Sequence, residues 1–126
     1  MEEQPDVASV LEELCMLEPI FHTRAFGVTL DDFARRMVDD YWEIGASGAR
    51  YDRAFILKHL ASAPPVDAEE ACWVTSDHAV RCLAADTFLL TYRLQQQERV
   101  TLRSTLWRQA EQGWQILFHQ GTVSPS

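Results

Sequence analysis

Apolar residues at the start of the chain recur with the spacing of an α-helix. Over residues 6–18 they fall three or four positions apart, and Glu12 and Glu13 lie on the opposite side, which is typical of an amphipathic helix. Because proline has no backbone N–H, Pro19 ends or kinks this helix. The apolar side consists of Val7, Val10, Leu11, Leu14, Cys15 and Leu17.

Capping residues predict two further helices. Residues 29–32, Thr-Leu-Asp-Asp, offer side-chain oxygens for the start of a second helix, and Asp52 is a good N-cap for a third helix over residues 53–62. The prolines within residues 63–65 end this third helix. The side chains expected to be buried are Phe33, Met37 and Val38 on the second helix and Phe55, Ile56, His59 and Leu60 on the third.

The remaining patterns are those of strands. Residues 41–46 carry aromatic and β-branched side chains and predict a short strand that ends at the turn dipeptide Ser47–Gly48. From residue 70 onwards apolar and polar positions alternate, which predicts strands at 71–76, 79–85, 87–95, 99–110 and 113–121. Helices followed by a run of antiparallel strands predict one α+β domain over residues 1–126, with the helices packed on one face of a curved sheet.

The turn near Gln112 and Gly113 joins the last two strands and decides which side chains share a face of the sheet. One face is expected to carry Arg103, Thr105, Trp107, Trp114, Ile116, Phe118 and Gln120. The opposite face is expected to carry Leu102, Ser104, Leu106, Leu117, His119 and Gly121. Since both faces include large apolar side chains, we expect the helices to cover one and a second copy of the chain to cover the other.

Composition and charge narrow the choice of partners. The chain has 126 residues, 47% of them hydrophobic, which is enough to bury a core of its own. Its formal net charge is −8, and residues 1–43 carry all of it, which disfavours nucleic acid and anionic membranes as partners. The sequence lacks the patterns of a membrane span and of a secretory leader, so we expect a cytoplasmic protein.

Metal and cofactor motifs are absent from the sequence, so we expect neither group. Cys15, Cys72 and Cys82 are expected to be reduced and buried. His22 and Glu18 are one helical turn apart, but the proline between them favours a capping contact over a metal pair. Four arginines either lie extended on exposed sheet positions or form an anion site. These are Arg93, Arg99, Arg103 and Arg108.

Two residues are candidates for proton transfer. Glu43 lies in an apolar strand, where burial would raise its pKa, and the alternative is an ion pair with Arg50 or Arg53. His119 is a proton shuttle if its face of the sheet lines a cavity, and an interface histidine if that face meets a second copy. Candidate ligand-binding side chains are Tyr51, Arg103, Trp107 and Gln120, the alternative for Trp107 being a place in the core.

Several segments of the chain carry a family resemblance. The most specific is Glu-Ile-Gly-Ala-Ser-Gly at 43–48, which leads into Tyr-Asp-Arg at 51–53. Residues 17–18, 21–22, 38–42, 103–107 and 118–122 fit the same pattern. Together they resemble a bacterial domain-of-unknown-function branch of the nuclear-transport-factor-two-like superfamily, also described as SnoaL-like or cystatin-like, over residues 7–122.

The resemblance implies a fold and a range of functions. It implies a cone in which a long helix lies across a strongly bent, mostly antiparallel sheet, with a cavity between them and commonly a homodimer through the sheet. The superfamily includes isomerases, dehydratases, cyclases and purely binding or ancillary domains, and this branch has no established catalytic residues to transfer. The fold alone therefore does not choose the function.

Three functional hypotheses follow. The first is a small-molecule-binding or ancillary domain with a cone cavity and no cofactor. The second is a cofactor-free enzyme, similar to an isomerase, dehydratase or cyclase, that moves a proton on a small polar or aromatic compound. In that enzyme Glu43 or His119 would be the base, and Arg103 or Tyr51 would stabilise the anion. The third is an interaction module that uses its sheet face.

Overall fold

The computed structural model describes residues 6–18, 30–62 and 72–125, in which helices come first and strands follow. The elements are α1 (Val7–Leu17), α2 (Leu30–Arg36), β1 (Met37–Ile44), β2 (Arg50–Asp52), α3 (Arg53–Ser62), β3 (Trp73–Ala84), β4 (Thr87–Gln96), β5 (Arg99–Ala110) and β6 (Gly113–Val123). The strands form one mixed sheet in the order β2-β1-β6-β5-β4-β3, with β1 and β6 parallel and the other neighbours antiparallel. The predicted α+β class is confirmed.

The local sequence explains where α1 begins and which side it buries. The Asp6 carboxylate caps the helix, accepting a hydrogen bond of 3.1 Å from the backbone N–H of Ala8. Val10 and Leu14 are buried, as their spacing predicts. Glu18 comes directly after the helix and four residues beyond Leu14, so it continues the same buried stripe.

The core lies between the helices and one face of the sheet, here called the inner face. The helices contribute the side chains of Val10, Leu14, Phe33, Ile56 and Leu57. The inner face contributes those of Met37, Tyr41, Phe88, Leu90, Tyr92, Leu94, Trp107, Trp114 and Ile116. The opposite face of the sheet is here called the outer face.

Several predicted boundaries are wrong: the strand expected at 41–46 runs from Met37 to Ile44, and β2 was not expected. Met37 and Val38 are buried as expected, but they begin β1 instead of ending the second helix, because Met37 pairs with Ile116 of β6. The strands predicted at 71–76 and 79–85 are one strand, β3. The backbone at Asp77 takes up a bulge there, with a φ of 57°, where a turn was expected.

The third helix buries only part of the side that was predicted. Asp52 caps it as expected, accepting a 2.9 Å hydrogen bond from the Phe55 backbone N–H. Ile56 and Leu57 are buried, whereas Phe55 and His59 are exposed. Phe55 stacks instead on Tyr51 of β2, with 4.8 Å between the ring centroids, so one side of its ring is in contact at the sheet edge while the side chain stays 52% exposed.

The cysteines are free, but their burial was predicted wrongly. Cys72 and Cys82 are exposed and Cys15 is partly buried. Cys82 lies where β3 turns into β4, and its thiol donates to the Ala84 carbonyl oxygen over 3.1 Å.

Some predictions concern parts of the chain that the structure does not describe. These are the predictions about Pro19, His22, Thr29, the Leu60 side chain and residues 63–65. Among the helices of the described ranges, none combines the length and the apolar content that a membrane crossing requires.

Candidate functional site

A bulge in β6 decides which residues reach the inner face. Trp107 of β5 pairs with Ile116 of β6, and its neighbour Leu106 pairs with Phe118. Leu117 therefore has no partner in β5 and is an extra residue in β6. One extra residue moves the side chains that follow it to the other face. The predicted faces are therefore wrong after position 117.

The bulge corrects the placement of four residues. His119 lies opposite Thr105 on the inner face, where it is 2% exposed, and Gly121 follows it there opposite Arg103. Gln120 lies opposite Ser104 on the outer face, so it does not join the other predicted ligand-binding residues. Phe118 moves to the outer face as well, where its ring packs against that of Trp42 with 4.7 Å between centroids.

Glu18 is the most deeply buried acid of the described residues. Its side chain extends from the end of α1 to the inner face, where the Thr105 hydroxyl donates a hydrogen bond to Oε1. Oε2 is buried and has no hydrogen-bond partner among the residues that the structure describes. Burial raises the pKa of Glu18 to about 8, against the lowering effects of Thr105 and Arg103. At neutral pH the carboxyl is therefore mostly uncharged.

His119 connects Glu18 to Arg103 through a chain of hydrogen bonds. Its Nδ1 is 2.7 Å from the Thr105 hydroxyl, and its Nε2 is 3.3 Å from Arg103 Nη1. Because a guanidinium only donates, we assign Nε2 as the acceptor and place the imidazole proton on Nδ1. His119 then donates to Thr105, which donates to Glu18, so His119 is neutral and both of its nitrogens are engaged.

Arg103 lies partly buried at the other end of this chain. Its Nε donates a 3.0 Å hydrogen bond to the Thr101 hydroxyl, and a Cβ at Gly121 would be 3.6 Å from its Cζ, so it lies flat against the glycine. Within the described ranges no carboxylate lies within 4.0 Å of this guanidinium. Of the four clustered arginines, Arg99 is exposed and Arg93 and Arg108 are partly buried, while Arg103 is held by hydrogen bonds on the inner face. Burial is the main cause that lowers its pKa.

A second carboxyl, that of Glu43, lies on the inner face beside His119, its partner in the parallel pairing of β1 with β6. The Tyr41 hydroxyl donates a 2.7 Å hydrogen bond to Glu43 Oε1. Burial raises the pKa of Glu43, while Tyr41, Arg103 and His59 lower it. Tyr51 pairs with Glu43 from the other side, in β2, which places it at the edge of the site.

The alternative of an ion pair for Glu43 is not realised. Arg50 lies over the Trp42 ring, 4.6 Å from its centroid, and Arg53 donates from Nη2 to the Ala34 carbonyl oxygen over 3.0 Å. Both predicted partners are thus engaged elsewhere. Glu43 accepts a hydrogen bond from the neutral Tyr41 hydroxyl, and Arg103 lies near enough to lower its pKa.

Trp107 is completely buried on the inner face, in agreement with its predicted place in the core. Its indole N–H has no hydrogen-bond partner among the described residues, although the indole lies near enough to Glu18 to lower the pKa of that carboxyl. Tyr92 also lowers the pKa of Glu18, and burial raises its own pKa. His78, directed inwards by the bulge in β3, stacks on Tyr92 with 5.5 Å between the centroids.

The structure thus brings four of the predicted site residues together and adds others. Glu43, Arg103, Trp107 and His119 share the inner face, Tyr51 lies at its edge, and Gln120 is elsewhere. The residues that the sequence reasoning missed as site residues are Glu18, Tyr41, His78, Tyr92, Thr101 and Thr105. In the described ranges no three His, Cys, Asp or Glu side chains are arranged to hold a metal ion.

The Thr105 hydroxyl is predicted to stabilise the protein by joining Glu18 to His119. Thr105→Val keeps the shape of the side chain and leaves a buried acceptor and a buried donor unpaired. We expect a loss of about 1–3 kcal/mol in urea unfolding at pH 7. Thr87→Val is the matched control, because the Thr87 hydroxyl donates to Asp86 in an exposed turn. Equal losses for the two variants would show that the buried hydroxyl has no special role.

Comparison with known proteins identifies the fold. No family model matches the sequence, and no curated protein matches it. Among solved structures, a cystatin-like fold protein from Burkholderia xenovorans superposes with a TM-score of 0.72 at 13% identity, covering 95% of this chain and 93% of that one. A protein of unknown function from the DUF3225 family of Pectobacterium atrosepticum superposes with a TM-score of 0.67 at 14% identity, covering 98% of this chain and 99% of that one.

A third structure agrees with these two. A nuclear-transport-factor-two-like protein of unknown function in nutrient uptake from Rhodospirillum rubrum gives a TM-score of 0.64 at 18% identity, covering 95% of this chain and 99% of that one. The chain therefore has the nuclear-transport-factor-two-like, or cystatin-like, α+β fold, which is the fold that the resemblance implied. At these identities the likeness concerns the fold, so the function has to be argued from the inner face itself.

Proposed function

We propose that this protein binds a small polar organic molecule against the inner face of its sheet, without a cofactor. The proposed site is the inner polar cluster, defined as Glu18, Arg103, Thr105, Trp107 and His119; four of these are at most 2% exposed, and Arg103 lines a cavity that Tyr92 and Thr122 also line. The observation that carries the proposal is the pair of buried polar atoms, Glu18 Oε2 and Trp107 Nε1, neither of which makes a hydrogen bond of normal geometry among the described residues, although Trp107 and Tyr92 lie close enough to Glu18 to lower its pKa. Leaving such groups unpaired costs about 1–3 kcal/mol each, and a bound ligand would remove this cost.

The interaction-module hypothesis has less support. A protein that only docks partners on its outer face has no use for a histidine, an arginine and two carboxyls on the inner face. An apolar core of the same volume would be at least as stable. The inner polar cluster therefore favours a function inside the domain.

Proton transfer on the bound molecule is the second candidate. Glu18 is mostly protonated at neutral pH and can donate, whereas Glu43 is less deeply buried, and Tyr41, Arg103 and His59 oppose the burial that raises its pKa. Two carboxyls in environments that separate their pKa values can act as acid and base. Both nitrogens of His119 are engaged, so Glu43 is a better base than His119, and Arg103 would stabilise an anionic intermediate.

Ligand binding is tested by a thermal-shift and native-mass screen of metabolites on the wild-type protein. A ligand at about 100 times its Kd contributes about 2.7 kcal/mol, which raises Tm by several degrees. The hits should lose their Tm shift in Glu18→Gln and Trp107→Phe and keep it in Gln120→Ala, an outer-face control. Hits that shift all three variants equally, or a screen without hits, would disprove binding at the inner polar cluster.

A homodimer through the outer face stays a prediction. It is supported by exposed apolar side chains there, since Leu102 is 53% and Trp42 is 37% exposed. We expect light scattering at micromolar concentration to give the mass of two chains, and Leu102→Glu to give one. A wild-type protein with the mass of a single chain at that concentration would refute the dimer.

A further inference from the structure

We propose that the molecule bound at the inner polar cluster is a small organic carboxylate, held by the Arg103 guanidinium. This inference rests on the proposed function, and it adds the chemical class of the ligand. It depends on three features of the inner face: the partners of Arg103, the state of the nearby acids and the supply of hydrogen-bond donors.

The first feature is that Arg103 has only neutral hydrogen-bond partners. The structure gives it the Thr101 hydroxyl at 3.0 Å and His119 Nε2 at 3.3 Å, with no carboxylate of the described residues within 4.0 Å. A guanidinium remains charged in proteins, and charges inside a domain are normally paired. Arg103 is therefore a partly buried cation whose charge is not balanced by direct contact.

The second feature is that neither neighbouring acid forms an ion pair with Arg103. Glu18 is mostly uncharged at neutral pH, because burial raises its pKa to about 8. Glu43 accepts from Tyr41 instead of contacting the guanidinium, although both carboxyls raise the pKa of Arg103 against the effect of burial. A third neighbour, Arg99, adds positive charge near Arg103 and lowers its pKa further. The inner face near Arg103 thus favours an anion.

The third feature is that the unpaired groups around Arg103 can donate. The Trp107 indole N–H donates only, and the protonated Glu18 carboxyl can donate from Oε2. A carboxylate has two oxygens that accept several hydrogen bonds, and bonds to a guanidinium are among the strongest in proteins. A cationic ligand would be repelled by Arg103, and a neutral ligand would leave its charge unbalanced.

Pairs of carboxylates and their amides test the charge of the ligand directly. The probes are acetate, butyrate and benzoate, each compared with acetamide, butyramide and benzamide at 0.15 M ionic strength. Binding is followed by calorimetry and by the thermal shift. We expect at least one carboxylate to bind ten times more tightly than its amide. In Arg103→Gln this preference should disappear, and in Arg93→Gln, an arginine on the outer strand surface, it should remain.

The outcomes separate this inference from the proposed function. If the amides bind as tightly as the carboxylates, and Trp107→Phe weakens that binding, the ligand is not required to be an anion. That result would overturn this inference and leave the proposed ligand site intact. If neither the carboxylates nor the amides bind, the inference of a carboxylate ligand is overturned as well. Whether the inner polar cluster binds any ligand is decided separately by the metabolite screen. If Arg103→Gln does not fold by circular dichroism, Arg103→Lys replaces it. That variant keeps the charge, so it should keep the preference for carboxylates, and a loss of the preference would contradict the inference.

Discussion

Raising the pH from about 5 to about 8 is expected to destabilise the protein, and Glu18→Gln is expected to remove most of that effect. The usual pKa of the side chain is 4.5, and in the folded protein burial raises it to about 8. Between these values the folded state holds a proton that the unfolded state has released. The contribution of this proton to the free energy of unfolding is therefore fully present below about pH 4.5. It is lost as the pH rises through 8, and the loss is on the order of a few kcal/mol.

Urea unfolding at pH 5, 7 and 9 measures this effect. Glu18→Gln keeps an acceptor for Thr105 and cannot ionise, so it should be more stable than the wild type at pH 9 and similar at pH 5. Glu13→Gln, on the exposed side of the same helix, is the control and should leave the pH profile unchanged. Burial raises the pKa of Glu43 in the same direction, so a small residual slope is expected. A wild-type profile that stays flat would rule out a neutral Glu18.

Trp107→Ala is expected to destabilise the protein by about 3–5 kcal/mol, because it leaves a large cavity in the core. The side chain is completely buried on the inner face, among the core residues of β4 and β6. This is a large part of the stability of a domain of this size. Denaturant unfolding should therefore show a much lower midpoint or no cooperative transition.

The control for Trp107→Ala is Phe55→Ala. Phe55 is 52% exposed and contacts Tyr51 at the sheet edge, so its removal should cost about 1 kcal/mol or less. A comparable loss for both variants would mean that Trp107 is not a core residue. Trp107→Phe separates the two roles of the side chain, since it keeps most of the volume and removes the N–H that is proposed to bind ligand.

The order of the elements could be predicted because it depends on local patterns. The spacing of Val10 and Leu14 defines α1, and the Asp52 side chain defines the start of α3. The alternation after residue 70 defines the strands. Met37 was assigned to a helix because its burial is clear from the sequence, while its pairing with β6, 79 positions later, is not. Local patterns do not contain such long-range pairings.

The site was only partly predictable because it depends on a single extra residue. Without the bulge at Leu117, alternation places His119 on the outer face and Gln120 on the inner face, and both placements are wrong. Nothing in the sequence near position 117 marks a bulge, since the residues around it are all ordinary strand formers.

Glu18 could have been found from the sequence. It lies four residues after Leu14 and eight after Val10, so it is an acid on the buried stripe of an amphipathic helix. A buried acid at such a position requires hydrogen-bond partners. In the structure Thr105 donates to Glu18, and His119 lies next to Thr105 in the same chain of hydrogen bonds. The buried stripe of the helix extends one position beyond Leu17, to Glu18, directly before Pro19.

The protonation of Glu18 at neutral pH is tested most directly by following its side-chain carboxyl carbon with ¹³C NMR as the pH is raised. The signal is assigned by its loss in Glu18→Gln. We predict a titration midpoint near 8, with the carboxyl neutral at pH 7 beside a charged Arg103. A midpoint near the usual 4.5 would mean that an ionised Glu18 already balances the guanidinium, and it would contradict both the buried neutral acid and the need for an anionic ligand.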